Sequence, residues 1–387
     1  MSHAHGPPPE EVIRRRDAER AQPEHRDMEP AVGRRGEPGR WRHGPGDDVA
    51  GARPRWADAR WSFLYDKGTR YAREALGDGR VRAAARRARG GKEVTVPVSG
   101  PVINAAVWTW EVPLYFWFGG IATGSSFAAL ACDVAGDHRS AAVARKLTLA
   151  AILPGAPLLI LDLGRPLRFL HMMRIFKVRS PMSMGAWCLS AFSGAAGAAV
   201  TADLLGRPRL ARALGVPTAV LGTYLGSYTG VLLASTAVPV WNRSRSFLPP
   251  IFICTGAAGG AAANRLVLAA LGVPSGHPTR EGLGVVETAA MAAELALSAV
   301  NERRLGSLGD ALEHGRPGTL LRLAKWGVRA GLASRLAGRR GGPQVQHVAS
   351  VLFLLAGLAF RFAWVGAGRT SAADDEAVAL TARQSSS

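Results

Sequence analysis

The chain has 387 residues, with 48 Lys and Arg against 29 Asp and Glu and a net charge of +19, so an anionic partner is expected. It lacks zinc-ligand spacing and any interleaving of basic and aromatic residues, which argues against nucleic acid and for a lipid membrane. Cys132, Cys188 and Cys254 stand far apart without a CxxC pair, which argues against a disulfide framework or a cysteine-bound metal.

In chain order, residues 1–60 have the charge, Pro and Gly of a disordered segment. Arg14-Arg15-Arg16 is followed by no apolar stretch, so no secretory leader is expected. Residues 61–92 set Trp61, Leu64 and Tyr65 among arginines, and predict either an interfacial helix or a solvated basic tail. The predicted organisation is a charged extension over 1–100, a membrane domain over 101–370 and a polar tail over 371–387.

A bilayer core about 30 Å thick takes roughly 20 apolar residues per helix. Runs of that length predict spans near 105–132, 146–163, 183–204, 214–237, 248–271, 283–301 and 347–366. Residues 319–337 hold Arg322, Lys325, Arg329 and Arg335, and predict either a further crossing or an interfacial helix. The expected fold class is all-α integral membrane with about eight transmembrane helices, since lipid cannot satisfy open backbone groups and no period-two barrel pattern occurs. Small residues in GAAGAAV (194–200) and TGAAGGAAA (255–263) predict closely packed helices. The segment 165–182 holds five basic residues and no acid, and the stretch before the first span is also basic, which predicts a cytoplasmic N-terminus.

Ionisable groups inside a bilayer are costly and usually face the bundle interior. Glu111 lies at the start of the first span, and Asp162 ends the second, followed by Gly164, Arg165 and Pro166. Asp162 and Arg165 fit a helix cap or a polar pocket for a ligand head. His171, in the next loop, is a candidate proton donor or a solvated histidine. Glu287, Glu294 and Asn301 recur every seven residues and line one helix face. That face suits either a proton relay through Glu287 and Glu294 or charge pairing with Arg265 or Arg361. Tyr224 and Tyr228 need acceptors for their hydroxyls, which a backbone carbonyl or a quinone oxygen can supply. None of the nine histidines falls mid-span, so no haem is expected.

Four motifs, EVPLYFWFGGIATG (111–124), LDLGRPLRF (161–169), SPMSMGAW (180–187) and SYTGVLLASTAVPVWN (227–242), resemble the NrfD/PsrC family of polysulfide-reductase-like membrane subunits. The resemblance covers about residues 100–370. It implies eight helices in two four-helix bundles, with no haem or metal of their own. It implies a quinone or quinol, menaquinone or ubiquinone, bound near one membrane face. It implies an iron–sulfur, ferredoxin-like subunit docked over that face and a molybdopterin catalytic subunit beyond it. Carried over, the quinone contacts are Tyr228, Asn104 and Trp108 or Glu111, and the DLGRP match adds Asp162 and Arg165; the candidate proton-exchanging groups are Asp162, Glu111 and, from its loop position alone, His171. The basic character of 319–337, and RFAWVGAG (361–368) where many relatives carry an acid, depart from the pattern. Two other readings remain open: a proton-coupled transporter using Glu287 and Glu294, and a passive anchor without a quinone site.

Overall fold

The structure, a computed structural model, describes residues 103, 106, 108–163, 173–174, 176–178, 180–374 and 377–378. The expected interfacial helix at 61–92 lies outside them. Among the described residues the regular structure is entirely helical. The helices are α1 (Glu111–Val134), α2 (His138–Ile152), α3 (Gly155–Leu163), α4 (Pro181–Leu204), α5 (Pro208–Ala234) and α6 (Pro239–Arg243), followed by α7 (Leu248–Ala270), α8 (Pro278–Leu305), α9 (Asp310–Glu313), α10 (Gly315–Gly341) and α11 (Pro343–Ala372). Six segments are long and apolar enough to cross a membrane: α1, α2 with α3, α4, α7, α8 with its short extension to Glu313, and α11. Helices α5 and α10, each 27 residues, match them in length but carry more polar residues.

Several helices start before the apolar runs do. Helix α2 begins at His138, eight residues ahead of the run at 146, because its polar first turns are capped. The Asp137 side chain accepts from the Ser140 N–H at 3.0 Å. Apolarity alone does not register such turns. Between α2 and α3 the ladder breaks at Leu153–Pro154, where proline has no N–H to donate.

The long helices sort into two groups of four. Helix α1 packs on α2 and α5, and α4 packs on α5 and α2; α7 packs on α8 and α11, and α11 on α10. The two groups meet where α1 runs along α7. There Gly120 and Gly124 face Gly256 and Gly260. A Cβ at Gly120 would lie 3.3 Å from the Gly256 Cα, and one at Gly124 would strike the Gly256 carbonyl oxygen. The paired small residues bring the two backbones together. Asn264 Nδ2 then reaches Ser125 Oγ at 2.9 Å.

All four helical hairpins turn at the same end. The links α1–α2, α4–α5, α7–α8 and α10–α11 contain Gly136, Gly206, Gly272 and Gly342, at φ of 81°, 68°, 80° and 82°. These left-handed positions close the helix ends tightly. At this turn end Arg145 joins three helices. Its Nε and Nη2 donate to Asp203 at 2.6 and 3.0 Å, and its Nη1 donates to Asp133 at 2.5 Å. Among the described residues the opposite end carries the longer connections, 235–247 and 306–314.

Asp137 also ties the α1–α2 turn to the start of α8, since Thr279 Oγ1 donates to its Oδ2 at 2.5 Å. Burial works against this carboxylate, but the hydrogen bonds from Ser140 and Thr279 outweigh it and hold its pKa below the usual range. A depressed folded pKa stabilises above the unfolded value, and that contribution is lost as pH falls through the folded value. Thr279→Val is therefore expected to lower the thermal midpoint at pH 7. The difference from the parent protein should close as the pH drops below about 4. Melting curves from pH 7 to pH 3 check this.

Candidate functional site

The candidate site lies at the connection-rich end of the first bundle. Glu111 occupies the first turn of α1, where a carboxylate suits the helix dipole, and accepts from Thr109 Oγ1. Tyr115 follows four residues later on the same face and is 3% exposed. Its ring lies against Gly155 at the start of α3, where an added Cβ would sit 3.4 Å away. Helix α3 then ends with Asp162 and Leu163. Asp162 is half-buried, and the Glu111 carboxylate is close enough to act on it electrostatically. Two carboxylates and a buried phenol thus share one corner.

Tyr228 reaches the same region from α5 and is 5% exposed. Its ring and hydroxyl press on the bare backbone of Gly185 in α4, where a side-chain carbon would collide with both. Tyr115, Tyr224 and Cys188 surround it closely enough to act electrostatically. No described residue gives the Tyr228 hydroxyl a hydrogen bond. Tyr224, one turn back on α5, stacks on Tyr228 with ring centres 6.1 Å apart at 17°, and is 40% exposed. A line of aromatic surface therefore runs from the outside of the bundle to the Tyr228 ring. Cys188 Sγ donates to the Leu221 carbonyl at 3.5 Å.

Trp108 stacks on Trp241 at 5.4 Å and 22°, and Trp241 Nε1 donates to the Trp364 carbonyl at 2.8 Å. That stack sits between the start of α1 and the second bundle. Asn104, Arg165 and His171 lie outside the described residues.

Glu287, Glu294 and Asn301 all lie on the buried face of α8. Glu287 is fully buried and pairs with Arg265 Nη1 at 3.6 Å and with Arg335, while Ser350 Oγ donates to it at 3.0 Å. Arg265 belongs to the partners expected from the sequence, and Arg335 does not. Glu294 accepts from Ser298 Oγ at 2.7 Å, with Lys325 and Arg361 near enough to act on it electrostatically. Asn301 Nδ2 donates to Ser244 Oγ at 3.0 Å. Arg361 Nη2 donates to the Phe252 carbonyl at 3.0 Å and to Thr255 Oγ1 at 2.6 Å, not to either carboxylate.

The sequence reading missed Tyr115, Gly185 and the Arg145–Asp133–Asp203 junction. EVPLY places Tyr115 four residues after Glu111, and helical spacing alone could have brought it forward. Gly185 gives no such signal, because its role depends on what faces it.

A family model described as Polysulphide reductase, NrfD, matches residues 101–299, which include α1 to α7 and most of α8. The C subunit of polysulfide reductase from Wolinella succinogenes is 27% identical over 195 residues, covering 42% of the present sequence. The match takes in 59% of that protein, so the 387-residue protein spans little more than half the length of the relative.

Proposed function

The chain belongs to the polysulphide reductase NrfD family and is a multi-pass membrane protein, and from that premise we propose that it is the quinone-interacting membrane subunit of a multi-subunit oxidoreductase. The observation that carries this reading is the Tyr228 side chain, which is buried against Gly185 and whose hydroxyl has no hydrogen-bond partner among the described residues. A phenol in that state suits a carbonyl or hydroxyl oxygen of a ligand. The exposed ring of Tyr224 supports an approach from the lipid side. A bound quinol supplies two electrons and two protons. Tyr228 binds its head, and Asp162 and Glu111 take up or return protons at their carboxylate oxygens. Asn104, Trp108 and Arg165 contribute to holding the head, and His171 to proton exchange. Of the relay candidates Glu287 and Glu294, Glu294 is the one free of an ion pair among the described residues and would extend proton transfer into the second bundle, while Glu287 is held by Arg265 and Arg335.

Electrons are exchanged with an iron–sulfur subunit docked over the connection-rich end, and through it with a molybdopterin subunit. Longer connections offer more surface for docking than tight turns do. The segment 165–182, with five basic residues and no acid, supports placing that end, and the N-terminus, on the cytoplasmic side.

Tyr228→Phe in the intact complex is expected to lower quinol-linked electron transfer about tenfold or more, the worth of one buried hydrogen bond. Dye-linked activity of the catalytic partner should stay at the parental level. Gly185→Ala should reproduce the loss while the hydroxyl is still present, because its methyl collides with the Tyr228 ring and hydroxyl and displaces them. Quinol turnover unchanged in both variants would leave the passive anchor as the better description.

A further inference from the structure

Helix α10 lies beyond the residues matched by the family, and its depth in the membrane is fixed by its hairpin partner. It turns at Gly342 directly into α11, the most apolar of the six candidate spans. Gly338 packs on Gln346, Gly331 on the Phe353 ring and Gly327 on Ala356, so the two helices run antiparallel over most of their length. Arg329 falls between Gly327 and Gly331, level with Leu354 and Leu355. About 20 Å of helix extends from it in either direction. A core about 30 Å thick leaves no interface within reach of an arginine placed so centrally.

The buried face of α10 holds Leu321, Ala324, Val328 and Gly331. Arg329 points the other way and is exposed. Its guanidinium lies 5.3 Å from the ring centre of Trp326, which is also exposed, and no described carboxylate pairs with it. Exposed residues Leu323, Trp326, Ala330, Ala333 and Ala337 repeat at intervals of three, four, three and four. Any single helix face repeats in that way; what distinguishes this one is the run of small residues over half its length beside an unpaired arginine. Lipid is a poor neighbour for the charge.

We propose that the outward face of α10 docks a transmembrane helix of a different protein, one carrying an Asp or Glu near its midpoint opposite Arg329. The charge selects this occupant. A second copy packed about a twofold axis along the membrane normal would bring Arg329 against Arg329. An anionic lipid keeps its headgroup at the interface, far from Arg329. The proposal does not depend on the quinone reading, because α10 takes no part in the Tyr228 site.

The test uses the full-length protein in its native complex, with a photo-crosslinking residue in place of Ala333 and a control crosslinker in place of Val285, an exposed position on α8. Mass spectrometry of the Ala333 product is expected to show an apolar, acid-bearing segment of another protein, and the control should label lipid alone. Arg329→Leu should abolish the protein crosslink and Arg329→Lys should keep it. Arg329→Glu, combined with Arg in place of the partner carboxylate, should restore it. Crosslinks confined to lipid, to a second copy or to a segment without Asp or Glu overturn the proposal. So does a crosslink that survives Arg329→Leu, or a charge swap that restores nothing.

Discussion

Glu287→Leu is expected to leave a protein that inserts but does not hold its second bundle together. Glu287 is 0% exposed, and Arg265 and Arg335 both pair with it. Arg265 is itself 1% exposed, with further hydrogen bonds to the Arg280 and Gln346 carbonyls and to Ser350 Oγ. Removing the carboxylate leaves two guanidinium groups facing each other without it. Breaking a buried pair from one side costs about 3–5 kcal/mol. That is a large fraction of the roughly 5–15 kcal/mol typical of a folded domain. Fluorescence-detected size exclusion after heating should show a midpoint many degrees below the parent. Glu287→Gln, which keeps an oxygen for Ser350, should fall between the two. Removing Arg335 together with Glu287 should recover part of the loss, since one unpaired charge then disappears. A Glu287→Leu variant that melts with the parent would show that the pairing contributes nothing.

The second large effect is expected at the joint between the bundles. A Cβ on Gly260 would meet the Gly124 carbonyl carbon and the Ser125 nitrogen. Those are backbone atoms and cannot swing aside. Overpacking into side chains costs about 1–3 kcal/mol, and a branched residue against backbone belongs at or above the upper end. Gly260→Val should therefore push α1 from α7, break the Asn264–Ser125 hydrogen bond and sharply reduce the folded protein recovered from membranes. Gly119→Ala is the matched control, because a Cβ at Gly119 meets nothing within 4 Å. Equal recovery of the two variants would contradict the close approach.

These two sites show what the sequence makes legible. Apolar length predicts most of the crossings, since lipid imposes that length on every helix. The run TGAAGGAAA marks α7 as a tight packer but does not say that α1 is its partner. The seven-residue repeat of Glu287, Glu294 and Asn301 correctly puts all three on one buried face of α8. It leaves Arg335 unseen, because the rotation of α10 about its own axis decides which arginine turns inward. Gly185 and Tyr228 pose the same problem within the first bundle. They lie on separate helices, far apart in sequence, and only the crossing of α4 and α5 brings them together. Position 319–337 is ambiguous in sequence for a related reason. Its charges argue against a crossing, and only the hairpin contacts with α11 set its depth.

The four glycine turns carry a consequence for biogenesis. A helix with as many cations as α10 is a poor candidate to enter lipid by itself. Joined to α11 by a single residue, it can leave the translocation channel as half of a prepaired unit, with its inward polar groups already sheltered. The polypeptide then integrates two helices at a time. Lengthening the link at Gly342 with a flexible insert should strand α10 outside the bilayer while α11 still crosses.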